Sequence, residues 1–318
     1  MESVDRLASR PYRSGAMRTR HAVTLAPLAL ARAAGCANDG NQGQPSCPDT
    51  SLPAGDHAFT LERDGLTRRY FVHVPPGYDG AHAAPLVFNL HPFVLGGGFF
   101  TDIWTYESQM DRKADSAGFL VVQPDGTGFP AAWNGGDECC GQPAANDLDD
   151  VGFIRAVAEE VSSKVCVDRS RIYSVGMSNG AYLSHRLACE ASDFVAAIGP
   201  VVGNLSPELE CSLTRPVPVL QISGSLDEIE SRVATVERWR ALDGCSGAGR
   251  VTYQQGDATC TTYDGCDGGV EVTHCIVADQ GHCWWGNVSP ELIPGCHPGD
   301  DLYSPDVLWD FLQRWKLG

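Results

Sequence analysis

No interior apolar run among the 318 residues approaches the roughly 20 needed to cross a bilayer, so no transmembrane span is expected. Basic residues are scarce: 23 Lys+Arg face 40 Asp+Glu, a formal net charge of −17. A surface this acidic repels phosphate backbones, which argues against nucleic acid as a partner. Cys-x-x-Cys pairs are missing despite 13 cysteines. Thiolate metal sites favour that spacing, so no metal is expected. There is no internal repeat and no Pro/Gly-rich linker after residue 54. What is present fits a globular chain with a real core, with 43% hydrophobic and 20% charged residues. Thirteen cysteines are too many for a reducing cytosol and point to an oxidising compartment.

The first residues read as an export signal. Met17-Arg18-Thr19-Arg20-His21 is basic, Ala22 to Ala31 is apolar, and the small residues Ala33-Ala34-Gly35 precede Cys36. Met17 suits a start better than Met1. Small residues directly before a cysteine also resemble a bacterial lipoprotein signal, with Cys36 as the lipidated residue. The expected layout is a signal-like segment over 1–36, a flexible Asn/Gly/Ser/Pro tether over 37–54, and one catalytic domain over 55–318.

Within that domain, strand-like and helix-like segments alternate. Arg68–Val74, Ala84–His91, Phe119–Gln123, Arg171–Val175, Phe194–Ile198, Val217–Ile222 and Val272–Val277 read as strands. Asp111–Ala117, Val151–Val165, Gly180–Cys189, Val233–Leu242 and Ser304–Lys316 read as helices, with Asp147, Asp149 and Asp150 capping the second. Such alternation predicts an α/β fold: a mainly parallel central sheet with helices on both faces.

Gly176-Met177-Ser178-Asn179-Gly180 matches G-x-S-x-G between an apolar strand and an amphipathic helix. That context is the nucleophile elbow of the α/β-hydrolase fold, in which a tight turn lifts a serine above the sheet. A serine hydroxyl needs a histidine to take its proton, and the histidine needs a carboxylate to hold its tautomer. In the order Ser, acid, His, the candidates are Ser178, Asp227 after the strand Val217–Ile222, and His282 in the loop after Val272–Val277. Glu228 and Glu230 are fallback acids. His185, on the helix following the elbow, cannot easily turn back to its serine. A tetrahedral intermediate also wants two aimed N–H donors. One is the backbone of Asn179. Pro92 has no N–H, so the second comes from Phe93 or a later residue of Val94–Gly98. Trp133, Trp284 and Trp285 are candidates for lining the substrate pocket.

From about Leu61 to Gly286 the chain resembles the secreted polyhydroxybutyrate depolymerase and feruloyl esterase-like α/β-hydrolases, related to carbohydrate esterase family 1. The stretches that carry the resemblance are Tyr70–Gly77, Trp133-Asn134-Gly135-Gly136 with Cys139-Cys140, Asp149–Phe153, Gly176–Gly180 and Gly281–Trp284. It implies a Ser178, Asp227, His282 triad, hydrolysis of carboxylic esters through an acyl-enzyme, and no cofactor. The substrate would be a hydroxyalkanoate or a plant-wall feruloyl or acetyl ester, polymeric or not, and the enzyme an exported monomer. The chain departs from the family in three places. His91-Pro92 stands where the family has His-Gly, and Ser223-Gly224-Ser225-Leu226-Asp227 replaces His-Gly-Thr-x-Asp. Trp284-Trp285-Gly286 replaces Trp-Pro-Gly. The rival from another class is a carbohydrate- or polymer-binding protein on this scaffold, with the tryptophans as its stacking surface.

Cysteine parity leaves at least one of the 13 unpaired, and Cys36 is the natural odd one. Spacing pairs Cys260 with Cys275 across a hairpin and Cys283 with Cys296 around the His282 loop. Cys189–Cys211 and Cys245–Cys266 follow. Cys139 and Cys140 are expected to bond separately to other cysteines.

Overall fold

Continuous burial, the mark of strands covered on both sides, runs through the central strands. In Ala84–Leu90 (β3), Leu86, Phe88 and Leu90 enter one apolar cluster while Val87 enters another on the opposite face. Leu120–Pro124 (β4) does the same, with Leu120 and Val122 opposed to Val121. The computed structural model describes residues 47–49, 51–93, 99–137, 139–228, 232–286, 296 and 301–318. The signal-like segment, with Cys36, lies outside the described residues, as do most of the tether and residues 94–98 of the predicted oxyanion loop. Among the described residues, no helix is long and apolar enough to cross a membrane.

One sheet of ten strands organises the unit from Gly43 to Gly318. Its first strands are Gly55–Arg63 (β1) and Leu66–Val74 (β2), followed by β3 and β4. Next come Val167–Met177 (β5), Ala197–Val201 (β6) and Val219–Gly224 (β7). Arg250–Gln255 (β8), Ala258–Tyr263 (β9) and Val272–Val277 (β10) complete it. The spatial order is β1-β2-β4-β3-β5-β6-β7-β10-β9-β8. The strands from β4 to β10 in that order are parallel, and antiparallel pairs flank them at both edges. The helices are Phe99–Ser108 (α1), Met110–Ala117 (α2), Gly141–Ala145 (α3), Asp150–Ser162 (α4), Asn179–Glu190 (α5), Arg232–Leu242 (α6) and Ser304–Leu312 (α7). Residues of α4, α5 and α6 fill one apolar cluster, and residues of α1, α2 and α7 fill the other. The fold is that of an α/β-hydrolase.

Two expectations shift. β1 carries no strong sequence signal because it is a half-exposed edge strand with alternating half-buried and open positions. The strand expected at Phe194–Ile198 runs over Ala197–Val201 instead, because the amides of Phe194 and Val195 still bond back to Ala191 O at the end of α5.

Candidate active site

The turn from β5 to α5 leaves no room for side chains around its serine. A Cβ on Gly176 would stand 2.5 Å from the carbonyl carbon of Gly180, and one on Gly180 would stand 2.3 Å from Leu90 O. Ser178 itself adopts φ 54° and ψ −119°, a left-handed strain that surrounding bonds must hold. Its N–H donates to Val201 O at 2.9 Å, and its carbonyl accepts from Ala181 N at 2.8 Å. On the neighbouring strand end, a Cβ at Gly203 would meet Ser178 O at 2.6 Å. The serine therefore stands at the carboxyl end of β5, at the positive end of the α5 dipole.

Asp227 and His282 come together at the same edge of the sheet. His282 Nδ1 donates to Asp227 Oδ2 at 2.8 Å, and the Asp227 side chain is 1% exposed. The loops that carry them are zipped to each other. Leu226 N donates to Gln280 O and Asp279 N to Ser225 Oγ, both at 2.8 Å. Gly224 permits this approach, because a Cβ there would lie 2.1 Å from Gly281 O. The serine at position 225, where the family pattern has threonine, thus keeps a hydroxyl that binds the histidine loop. β7 is two strands from β5 through β6, so Ser178, Asp227 and His282 all follow the carboxyl ends of parallel strands, where α/β sheets bind ligands. Of the fallback acids, Glu228 is exposed and Glu230 lies outside the described residues.

The elbow is backed by a buried polar network that the sequence did not announce. Asn179 is fully buried; its Oδ1 accepts from Trp133 N at 2.7 Å, and its Nδ2 donates to Trp133 O at 3.0 Å. Trp133 Nε1 in turn donates to His91 O at 3.0 Å. The His91 ring accepts from Gly126 N at 2.8 Å through Nε2, which leaves the proton on Nδ1 to donate to Pro92 O at 2.7 Å. Burial depresses the pKa of His91, so it stays neutral in this role. Arg68 Nη1 pairs with Asp150 Oδ1 at 2.6 Å, and Asp150 Oδ2 accepts from Asn134 N at 2.6 Å. Of the three acidic residues expected to cap this helix, Asp149 does so, accepting from Gly152 N at 2.7 Å, while Asp150 sits in the first turn and holds Arg68 and Asn134. The available signal was parity: Arg68 shares the buried side of β2 with Tyr70, Val72 and Val74, where an arginine requires a partner.

Further placements complete or correct the sequence expectations. Trp133 and Trp284 are 0% and 1% exposed, and Trp285 is 4% exposed, so none presents a face for a substrate or polymer to stack on. Their rings are spent on packing: Trp133 beside His91, and Trp284 edge-on to Trp104 with Nε1 donating to Ser108 O. Phe93, expected as an oxyanion donor, is 40% exposed; Val94–Gly98 lie outside the described residues. The structure joins Cys189 to Cys211, Cys245 to Cys266, Cys260 to Cys275 and Cys283 to Cys296. It adds Cys47–Cys166. Cys139 and Cys140 bond to each other rather than to separate partners, every other described cysteine being already paired. His185 is buried with both ring nitrogens engaged elsewhere, accepting from Trp239 Nε1 at 2.9 Å and facing Gln221 Oε1 at 3.1 Å.

One His/Asp cluster lies on the other wing of the sheet. His73 Nδ1 meets Asp56 Oδ1 at 2.6 Å, and Nε2 meets Asp115 Oδ1 at 2.8 Å, with Asp111 close by. Burial opposes its charge, but Asp111, Asp56 and Asp115 outweigh that and hold its pKa above the usual histidine range. With both ring nitrogens bound to carboxylates, His73 ties β1, β2 and α2 together.

A doubly wound sheet with a strained serine elbow and an Asp–His pair at its carboxyl edge defines an α/β-hydrolase. No protein-family model matches the chain. Feruloyl esterase B of Piromyces equi is 32% identical over 274 residues, 79% of this chain and 46% of that protein. The chain thus spans about half the length of that relative. It spans 83% of feruloyl esterase C of Emericella nidulans, which is 25% identical over 253 residues, 77% of this chain. Among solved structures, an acetyl xylan esterase from Aspergillus awamori superposes with a TM-score of 0.58 at 15% identity, covering 81% of this chain and 99% of that one. The chain has the α/β-hydrolase fold and is similar in sequence to feruloyl esterases over more than three quarters of its length.

Proposed function

We propose that the chain is an exported serine esterase that cleaves feruloyl or acetyl esters of plant-wall polysaccharides through an acyl-enzyme. The observation that carries the reading is the 2.8 Å bond from His282 Nδ1 to buried Asp227, at the sheet edge that also carries the Ser178 elbow. With Nδ1–H held by the carboxylate, Nε2 of His282 is the acceptor. It takes the Ser178 hydroxyl proton as Oγ attacks the ester carbonyl carbon. The oxyanion is received by the N–H of Asn179, at the start of α5, and by an N–H of the segment beginning at Phe93. Protonated His282 then gives its proton to the departing alkoxide, which leaves as the alcohol. Water repeats the sequence on the acyl-enzyme and releases the acid.

The names of the relatives favour feruloyl and acetyl esters as the substrate class. The six disulfides support an extracellular or cell-envelope location. A 1–36 leader, a 37–54 tether and a 55–318 catalytic domain, acting as a monomer, complete the proposal; lipid on Cys36 would hold the enzyme at the envelope. The test is a substrate panel of methyl ferulate, acetylated xylan and hydroxybutyrate oligomers, assayed with the purified protein and its Ser178→Ala variant. Turnover of the first or second, absent in the variant, is the expected result. A folded wild type that cleaves no ester would support the binding-protein alternative instead.

A further inference from the structure

An oxyanion hole built from two loops has a registration problem. The N–H of Asn179 belongs to α5, whereas the other proposed donor is Phe93, three residues past β3, and the two must face one oxygen atom. The sheet pairs β3 with β5 only up to Leu90 and Gly176. Past that point, Gly180 packs against Leu90 O and His91 O, and Trp133 adds a hydrogen-bonded link between the two segments. Trp133 grips the elbow with its backbone, through the paired bonds to the Asn179 carboxamide. It grips the other segment with its side chain, through the indole bond to His91 O.

Both grips are rigid. The Trp133 ring is fully buried, 4.9 Å from the His91 ring and 5.5 Å from the Arg68 guanidinium. The next residue, Asn134, is tied through its N–H to Asp150, which Arg68 neutralises. His91 is locked by Gly126 on one side and Pro92 O on the other. The Asn179 carboxamide also donates to Cys139 Sγ at 3.6 Å, so the disulfide of Cys139 and Cys140 borders the same clamp. A fully buried tryptophan cannot touch substrate. It can set where two donors point.

We infer that Trp133 is a positioning residue that holds the two halves of the oxyanion hole in register, acting through Asn179 and His91. This rests on the serine esterase reading above. Removing an anchor while leaving every reacting group in place should lower transition-state stabilisation and leave ground-state binding nearly alone.

Two variants test it. Trp133→Phe keeps a buried aromatic ring but loses the indole N–H to His91; Asn179→Ala keeps the backbone donor but frees it from Trp133. Each should lower kcat by about 10- to 100-fold, the scale of a donor moved out of line rather than lost, with KM changed less than about threefold. A boronic acid inhibitor, which forms an anionic tetrahedral adduct on the serine, should lose affinity in proportion to kcat/KM. A merely structural tryptophan would lower the unfolding temperature without that proportionality. If Trp133→Phe fails to fold, Asn179→Ala decides alone. Wild-type kcat and boronate affinity in folded Asn179→Ala would overturn the inference. Ser178→Ala separates the two readings: if it retains turnover, the serine mechanism fails. If it is inactive while the anchor variants are normal, only the Trp133 inference fails.

Discussion

The two halves of the candidate site are held by different physics. The nucleophile half rests on steric fit and a buried polar network: Gly176, Gly180 and Gly203 allow contacts that a Cβ would forbid, and Trp133, Asn179, His91, Asp150 and Arg68 satisfy one another. The histidine half rests on zipped loops and covalent staples, with Cys283–Cys296 beside His282 and Cys260–Cys275 joining β9 to β10. A buried network fails together when one member is removed, since each lost partner strands another. A stapled loop can lose its staple and keep its contacts. The nucleophile half should therefore be brittle and the histidine half tolerant.

The largest expected effects cross that divide. Ser178→Ala and His282→Ala should each cost several orders of magnitude in kcat, with the double variant little worse, because groups acting as one unit are not additive. Asp227→Asn should cost less than either, as it spoils the tautomer of His282 but removes no reacting group. Steady-state kinetics on methyl ferulate checks all four proteins. Additive losses in the double variant would break the unit.

The next effect sharpens the contrast between the halves. Cys283→Ala with Cys296→Ala opens a staple with a sequence separation of 13, worth roughly 3 kcal/mol in the chain-entropy model. Urea unfolding should register that loss, while kcat at 25 °C falls only several-fold. Gly180→Ala, by contrast, forces a Cβ against Leu90 O and should abolish activity or folding. A Gly180→Ala enzyme as active as the staple variant would erase the distinction.

The elbow was legible because its chemistry is local: a strand, two glycines and a helix fit within a few consecutive residues. The alternation of strands and helices was legible for the same reason, and so were the cysteine pairs that close hairpins or short loops. Cys47–Cys166, separated by 119 residues, was not. Nor was Trp133, whose value lies in contacts to residues more than 40 positions away in sequence. Its type suggested a stacking surface, and burial reversed that. Pairing of Cys139 with Cys140 also ran against the expectation from spacing, since adjacent cysteines close no loop.

The smallest expected effect concerns pH and the buried base behind the elbow. Burial depresses the pKa of His185 to about 3. An unfolded histidine takes up its proton near 6.5, so His185 contributes stability above that pH, and the contribution is lost as pH falls from 6.5 toward 3. Asp243 opposes this: burial raises it to about 7, so its contribution is lost as pH rises from 3.8 toward 7. The two partly cancel in the wild type. His185→Gln removes one arm, so its stability deficit should shrink by about 2 kcal/mol between pH 6.5 and pH 5. Urea titrations of both proteins at the two pH values measure it; a constant deficit would mean that His185 is not a neutral, buried base.

The claim that Ser178, His282 and Asp227 form one reacting centre is tested most directly by covalent labelling. An aryl phosphonate that reacts only with an activated serine, followed by intact-mass and peptide analysis, reads the nucleophile without assuming any substrate. One adduct per chain, on the peptide carrying Ser178 and nearly absent in His282→Ala, is the predicted result. An adduct on another residue, or labelling of Ser178 at an undiminished rate in His282→Ala, would contradict it.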